Sequence, residues 1–255
     1  MPRRGGPAVG PTPLSVAAGT VFPMAIAWGK DRGDGMGKPA AHIVWDWNGT
    51  LFHDIDAVIA ATNSAFAEIG LEPITLERYR ELYCVPVPRF YERLMGRLPT
   101  EAEWLVMDAT FHRYYTEHRA GCGLAEGAET LLASWQAAGR SQSILSMFGH
   151  DELIPLVSGL GIASRFVRVE GRMGPSGGSK SAQMVGHLAA LESIDPGRTV
   201  VIGDAVDDAV AARDAGALAV LYTGGSHSRS SLTAAGVPVV DSLAEAVQVA
   251  EDIVA

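Results

Sequence analysis

Lysine is nearly absent from most of this 255-residue chain: beyond residue 38 it occurs once, at Lys180, against fourteen arginines. Cysteine is equally scarce. Two thiols, Cys84 and Cys122, are too few for a disulfide framework or a cysteine-built zinc centre, and they fit a reducing compartment, so the expected location is cytoplasmic. No uninterrupted apolar run reaches the roughly 20 residues that a membrane span needs, and no membrane partner is expected. Positive charge is short as well. Five of the 20 basic and two of the 29 acidic residues lie in the first 40, which leaves 15 basic against 27 acidic residues in the remainder. Such a surface repels phosphate backbones, so no nucleic acid partner is expected.

What is present is ordinary globular material, 47% apolar and 19% charged, enough for one large domain or a core with an insert. Residues 1–40 stand apart. Prolines 2, 7, 11, 13 and 23 alternate with glycines, no helix or strand period survives, and a disordered N-terminal tail is expected there. An export signal is the competing reading, since Arg3 and Arg4 precede an apolar stretch ending in Ala25-Ile26-Ala27, although Gly19 and Pro23 interrupt it. From residue 41 the pattern is regular. Ala41–Trp47 reads as a buried strand, followed by a helix with Ile55, Val58, Ile59, Thr62, Phe66 and Ile69 at three-and-four spacing. Residues 73–119 carry only helical signals, and Tyr83, Phe90, Trp104 and Tyr115 read as the core of that helical block.

Beyond Gly121 helices alternate with short apolar strands at Ser143–Ser146, Phe166–Val169, Thr199–Ile202, Ala217–Tyr222 and Val237–Val240. Alternation of this kind implies right-handed crossovers and a parallel sheet covered on both faces. The expected fold is therefore α/β: a doubly wound, Rossmann-like core over residues 41–53 and 121–255, with an inserted all-helical cap over 54–120. Open parallel sheets bind ligands at the carboxyl ends of their strands. Those ends carry Asp46 and Asn48, Ser146, and Gly203-Asp204-Ala205-Val206-Asp207-Asp208, while Lys180 opens a helix after a glycine-rich stretch. Asp46, Asp204 and Asp208 would repel one another unless a cation lay between them, and oxygen-only ligands suit Mg²⁺. A metal, a nucleophilic carboxylate and an ammonium together suit phosphoryl transfer. Asp207 reads as the cap of the helix after Gly203.

Asp46-Trp47-Asn48-Gly49-Thr50-Leu51, Ile144-Leu145-Ser146, Lys180 and Val201 to Asp208 occur in the order and at the spacings of four known motifs. Over residues 42 to 250 the chain resembles the haloacid dehalogenase-like hydrolase superfamily, in its phosphoglycolate phosphatase-like branch with a helical cap. The resemblance implies a Mg²⁺-dependent phosphatase of a small phosphorylated metabolite. It implies Asp46 as the nucleophile that becomes an aspartyl phosphate, and metal ligation by Asp46, Asp204 and the main-chain carbonyl of Asn48, with Asp208 supporting the metal directly, through water or by pairing with Lys180. It also implies phosphate binding by Ser146, Thr50 and Lys180, with Lys180 orienting Asp46.

One position departs from the pattern. The family places a second aspartate two residues after the nucleophile, where it gives a proton to the leaving alcohol and later takes one from water; here the residue is Asn48, and an amide does neither. Three outcomes stay open: slow turnover, replacement by another group such as His53 or a cap residue, or a phosphate-ligand binding or regulatory protein without turnover. Among seven arginines in residues 78–119, Arg89 is the one expected to read an anionic group on the substrate, because it lies beside Pro86 and Pro88.

Overall fold

A computed structural model describes residues 41–174 and 178–255; the tail expected over residues 1–40 lies outside them. The chain enters through β1 (His42–Trp45), all four residues of which are buried. Ile43 and Trp45 face one side of the sheet and Val44 the other, as the two-residue period of a strand requires. After a turn, β2 (Phe52–His53) leads into four helices: α1 (Ile55–Glu68), α2 (Leu76–Leu82), α3 (Val87–Met95) and α4 (Glu101–Arg119). Their shared core contains Phe66, Tyr79, Phe90, Tyr91 and Met107. Helix α4 starts sharply because Thr100 and Glu103 form a reciprocal capping box. The chain returns through β3 (Gly123–Leu124), which pairs antiparallel with β2, so both connections between core and insert run side by side.

Strand and helix then alternate through α5 (Ala128–Ala137), β4 (Ser141–Gly149), α6 (His150–Gly159), β5 (Arg168–Arg172), α7 (Lys180–Ala189), β6 (Thr199–Gly203), α8 (Val206–Asp214) and β7 (Leu218–Tyr222). A short α9 (Arg229–Thr233), unmarked by any period in the sequence, precedes β8 (Val239–Val240) and α10 (Leu243–Val254). The six-stranded sheet has the order β5-β4-β1-β6-β7-β8, parallel throughout. Leu132, Trp135, Leu153 and Ala246 cover one face and Met184, Leu188, Ala211 and Ala212 the other, the doubly wound arrangement. Among the described residues no helix is long and apolar enough to cross a membrane.

Strand β4 departs from its expected end. It runs on past Ser146 to Gly149, and its register against β5 slips between the pairs Leu145–Glu170 and Gly149–Arg172, leaving a bulge. A bulge bends a strand and re-aims its side chains. Ser146 lies in this bulge at the carboxyl end of the sheet, next to the end of β1.

Candidate active site

β1 and β6 finish side by side: the Asp46 N–H donates to the Ile202 carbonyl at 2.9 Å, and Asp204 follows β6. Helix α8 then folds Asp208 back, so that its Oδ2 accepts the Ala205 N–H at 2.9 Å. Both Asp207 and Asp208 lie in the first turn of that helix, but the carboxylate that accepts the cap N–H is that of Asp208, not Asp207. Carboxylate oxygens of Asp46, Asp204 and Asp208 all lie within 4.8 Å of one another, and all three residues are buried.

The turn after β1 sits against this cluster. Trp47 stacks on Phe52 at 5.2 Å and anchors the turn in the core. Gly49 has φ +71°, and a Cβ there would come within 2.8 Å of Asp204 Oδ2, so the left-handed backbone and the close approach both call for glycine. On the other side, a Cβ on Gly225 would lie 2.1 Å from the same oxygen. Asp204 is held between these two glycines by Ser226, whose N–H and hydroxyl donate to Oδ2 at 2.6 and 2.7 Å, and by the Thr50 hydroxyl, which reaches Oδ1 at 3.3 Å.

Lys180, the first residue of α7, completes the cluster. Its Nζ donates to Asp46 Oδ1 at 2.6 Å and pairs with Asp208, with only 9% of the side chain exposed. Burial works to strip its proton, but the carboxylates of Asp208 and Asp46 outweigh burial and hold Lys180 above the usual lysine range. Burial raises the Asp46 carboxyl well above its ordinary value; Lys180 opposes this, while Asp208 and Asp204 add to it. Asp204 is raised by burial and by Asp208, against the pull of Ser226. Three buried carboxylates facing a single ammonium form a site short of positive charge. An all-oxygen donor set of this kind fits a hard divalent cation, which Asp46, Asp204 and Asp208 could hold.

A cavity of about 370 Å³ opens from this cluster toward the helical insert. Asp46, Asn48, Ser146, Lys180 and Asp204 line its floor, and Val58, Tyr83, Val85, Phe111 and Tyr115 line the side formed by the insert. Ser146 Oγ accepts the Phe148 N–H at 3.0 Å, which leaves its own proton for a ligand in the cavity. Both hydrogens of the Asn48 amide nitrogen are engaged. Its Nδ2 donates to Asp54 Oδ2 at 2.7 Å and to the Tyr115 hydroxyl at 2.8 Å, while that hydroxyl donates to the same Asp54 oxygen at 2.6 Å. Asp54 Oδ1 also accepts the Gly49 N–H at 2.8 Å. Burial, and then the Asp54 charge, keep the Tyr115 phenol protonated far above its usual range.

Several expectations are corrected. Thr50 is completely buried and turned to Asp204 instead of the cavity, so its side chain supports a carboxylate and does not face a phosphate. Arg89 lies outside the cavity lining. It projects from the first turn of α3, is 62% exposed and pairs with Glu92, because the prolines beside it start a helix instead of forming a loop over the site. Tyr83 and Tyr115 line the cavity as well as packing in the insert. His53 is exposed and away from the cavity. Three positions were missed: Asp54, Ser226 and Gly225. The pair Gly224-Gly225 directly after a core strand was the available signal for the last two. All seven arginines of the insert have partners outside the cavity, although Arg119 also lies over the cavity-lining rings of Tyr115 and Phe148, 5.7 and 5.2 Å from their centroids. Arg78, Arg89, Arg97, Arg113 and Arg119 pair with Glu81, Glu92, Glu103, Glu68 and Glu152. Arg80 donates to the carbonyls of Gly224 and Gly225, and Arg93 to that of Leu82.

A doubly wound sheet with a helical insert, and a carboxylate–lysine cluster at the ends of its central strands, defines a capped Rossmann-like α/β protein with its site at the carboxyl edge of the sheet. Residues 43–221 match the family model described as haloacid dehalogenase-like hydrolase, and the chain belongs to that family. Among curated proteins it is similar to a phosphoglycolate phosphatase of Synechococcus elongatus, 28% identical over 193 residues, spanning 76% of this chain and 88% of that one. A phosphoglycolate phosphatase of Thiobacillus denitrificans is 26% identical over 219 residues, 82% of this chain and 94% of that one. Two solved structures share the fold. A hydrolase from Pseudomonas syringae has a TM-score of 0.66 at 20% identity, covering 85% of this chain and all of that one. Protein Tyrosine Kinase A of Mycobacterium tuberculosis has a TM-score of 0.68 at 19% identity, covering 84% and 99%.

Proposed function

We propose that this chain is a Mg²⁺-dependent phosphatase of a small phosphorylated metabolite, acting in the cytoplasm. One observation carries the reading: Lys180, at the start of α7, bridges Asp46 after β1 and Asp208 in the first turn of α8, with Asp204 beside them. The relatives named as phosphoglycolate phosphatases support phosphate monoesters as the substrate class. Held by Asp46, Asp204, Asp208 and the main-chain carbonyl of Asn48, Mg²⁺ would supply positive charge to the phosphate oxygens. The residues of the chain do the rest. Lys180 and the Ser146 hydroxyl bind the phosphate and turn its phosphorus toward Asp46. An Asp46 carboxylate oxygen bonds to phosphorus while the ester P–O bond breaks, giving an aspartyl phosphate and an alkoxide. Because the Asn48 amide has no acidic proton to give, the alkoxide takes one from water, and esters of acidic alcohols react fastest. A second water then attacks phosphorus, its proton leaves with the phosphate, and the Asp46 carboxylate is restored.

Asn48 favours a second reading, ligand binding without turnover. Hydrolysis of phenyl phosphate with Mg²⁺ and with chelator, by wild type and Asp46→Asn, separates the two. The phosphatase reading expects Mg²⁺-dependent release of phosphate that Asp46→Asn abolishes; absence of turnover by wild type for phenyl phosphate and a panel of phosphorylated metabolites would sink it.

A further inference from the structure

Resting on the phosphatase reading, we infer that the leaving group is an uncharged apolar alcohol, aromatic or branched, and that esters carrying a second anion are rejected. The wall opposite the carboxylate cluster is built from Val58, Tyr83, Val85 and Phe111 of the insert and Phe148 of the core. Positive charge at the described lining comes from Lys180, already bound to Asp46 and Asp208, and from His112 when protonated; that imidazole is 68% exposed and lies 3.5 Å from Asp108. Arg80, on the helix that contributes Tyr79 to the wall, is turned away to the carbonyls of Gly224 and Gly225. Asp54 and Asp207 line the same cavity and would repel a second anion. A carboxylate in this space would lose its water and meet no fixed cation besides Lys180, which is already paired, whereas a ring or branched chain would gain contact on several sides. Phosphoglycolate, with a carboxylate one methylene from its ester oxygen, is such a disfavoured substrate. The wall therefore separates this chain from the activity for which its relatives are named.

The test compares 4-methylbenzyl phosphate with 4-carboxybenzyl phosphate, which match in shape and leaving group and differ in charge. The expected result is a kcat/KM at least about tenfold higher for the methyl ester, within the range that pocket contacts supply; a smaller ratio or the reverse order overturns the inference. Turnover of either ester upholds the phosphatase reading separately from the ratio. If neither is hydrolysed, the phosphatase reading is decided by phenyl phosphate and the metabolite panel, and calorimetric binding of benzylphosphonate against phosphonoacetate decides the preference of the wall by the same tenfold criterion. Val85 is 53% exposed, so Val85→Arg should fold. Placing a cation on the wall is expected to shrink the preference at least fivefold in whichever of the two assays reports it, by our estimate from the cost of an unpaired buried charge. An unchanged preference in a folded Val85→Arg protein overturns the assignment.

Discussion

The Asn48 amide nitrogen lies 2.7 Å from the Asp54 carboxylate, with the Tyr115 hydroxyl bonded to both. Position 48 is therefore complementary to position 54. An aspartate at 48 would bring a second carboxylate against Asp54, where like charges at hydrogen-bond distance disfavour one another.

Asn48→Asp alone is accordingly expected to leave activity low and to destabilise the protein by about 1–3 kcal/mol, the usual cost of breaking a buried polar pairing. The double variant Asn48→Asp/Asp54→Asn exchanges the partners and should recover most of that stability. Urea unfolding midpoints of the single and double variants test this. A single variant as stable as wild type would remove the argument.

Gly225→Ala should uncouple the metal site from the fold. Its Cβ would overlap Asp204 Oδ2, so the carboxylate must leave the donors on Ser226. The expected outcome is a rise of about tenfold or more in the Mg²⁺ concentration for half-maximal activity, since partners that orient a ligand typically contribute 10–100-fold to metal affinity. A Mg²⁺ dependence equal to wild type would show that Asp204 is not held as described.

Lys180 offers a test of shape against charge. Lys180→Met leaves Asp46 and Asp208 facing each other without their cation, and loss of one partner from a buried ion pair costs about 3–5 kcal/mol. Lys180→Arg keeps the charge, but places a planar fork where a compact ammonium touches two carboxylates. Phosphate release by both variants is expected to fall at least 100-fold by our estimate, with Arg recovering stability in thermal melts but little activity. Full activity in Lys180→Arg would mean that charge alone suffices.

The fold and the floor of the site were legible in the sequence because both follow local rules. Strand and helix periods located the sheet, polar residues at strand ends located Asp46, Asp204 and Asp208, and the solitary lysine stood out against an arginine-rich background. What escaped notice depends on chain return. Asp54 meets Asn48 because β2 folds back beside the turn, and Tyr115 joins them from a helix 61 residues away. Ser226 reaches Asp204 across 22 residues, from a loop with no helical or strand period. Arg89 misled because its two prolines begin α3, where its nearest partner is Glu92 on the next turn.

Far from the cavity, a buried chain of polar groups predicts how the fold responds to acid. At the start of the sheet His42 bridges Ser141 at 2.8 Å and Ser143 at 2.9 Å, and Ser143 also meets His187, which reaches Glu170 at 3.0 Å. Burial, and secondarily His187, push the His42 pKa down to about 3, from 6.5 in the unfolded chain. Burial also lowers His187, against the pull of Glu170. Between pH 6.5 and 3 the unfolded chain binds more protons at His42 than the folded one, so stability is full above pH 6.5 and is lost as pH falls. The slope contributed by His42 is at most about 1.4 kcal/mol per pH unit. His42→Gln, which retains hydrogen-bonding atoms but cannot take a proton, should therefore lose stability less steeply than wild type between pH 6.5 and 4.5, whatever it loses at pH 7.5. Guanidinium midpoints across that range give the comparison, and parallel curves would show that His42 is not held neutral in the folded protein.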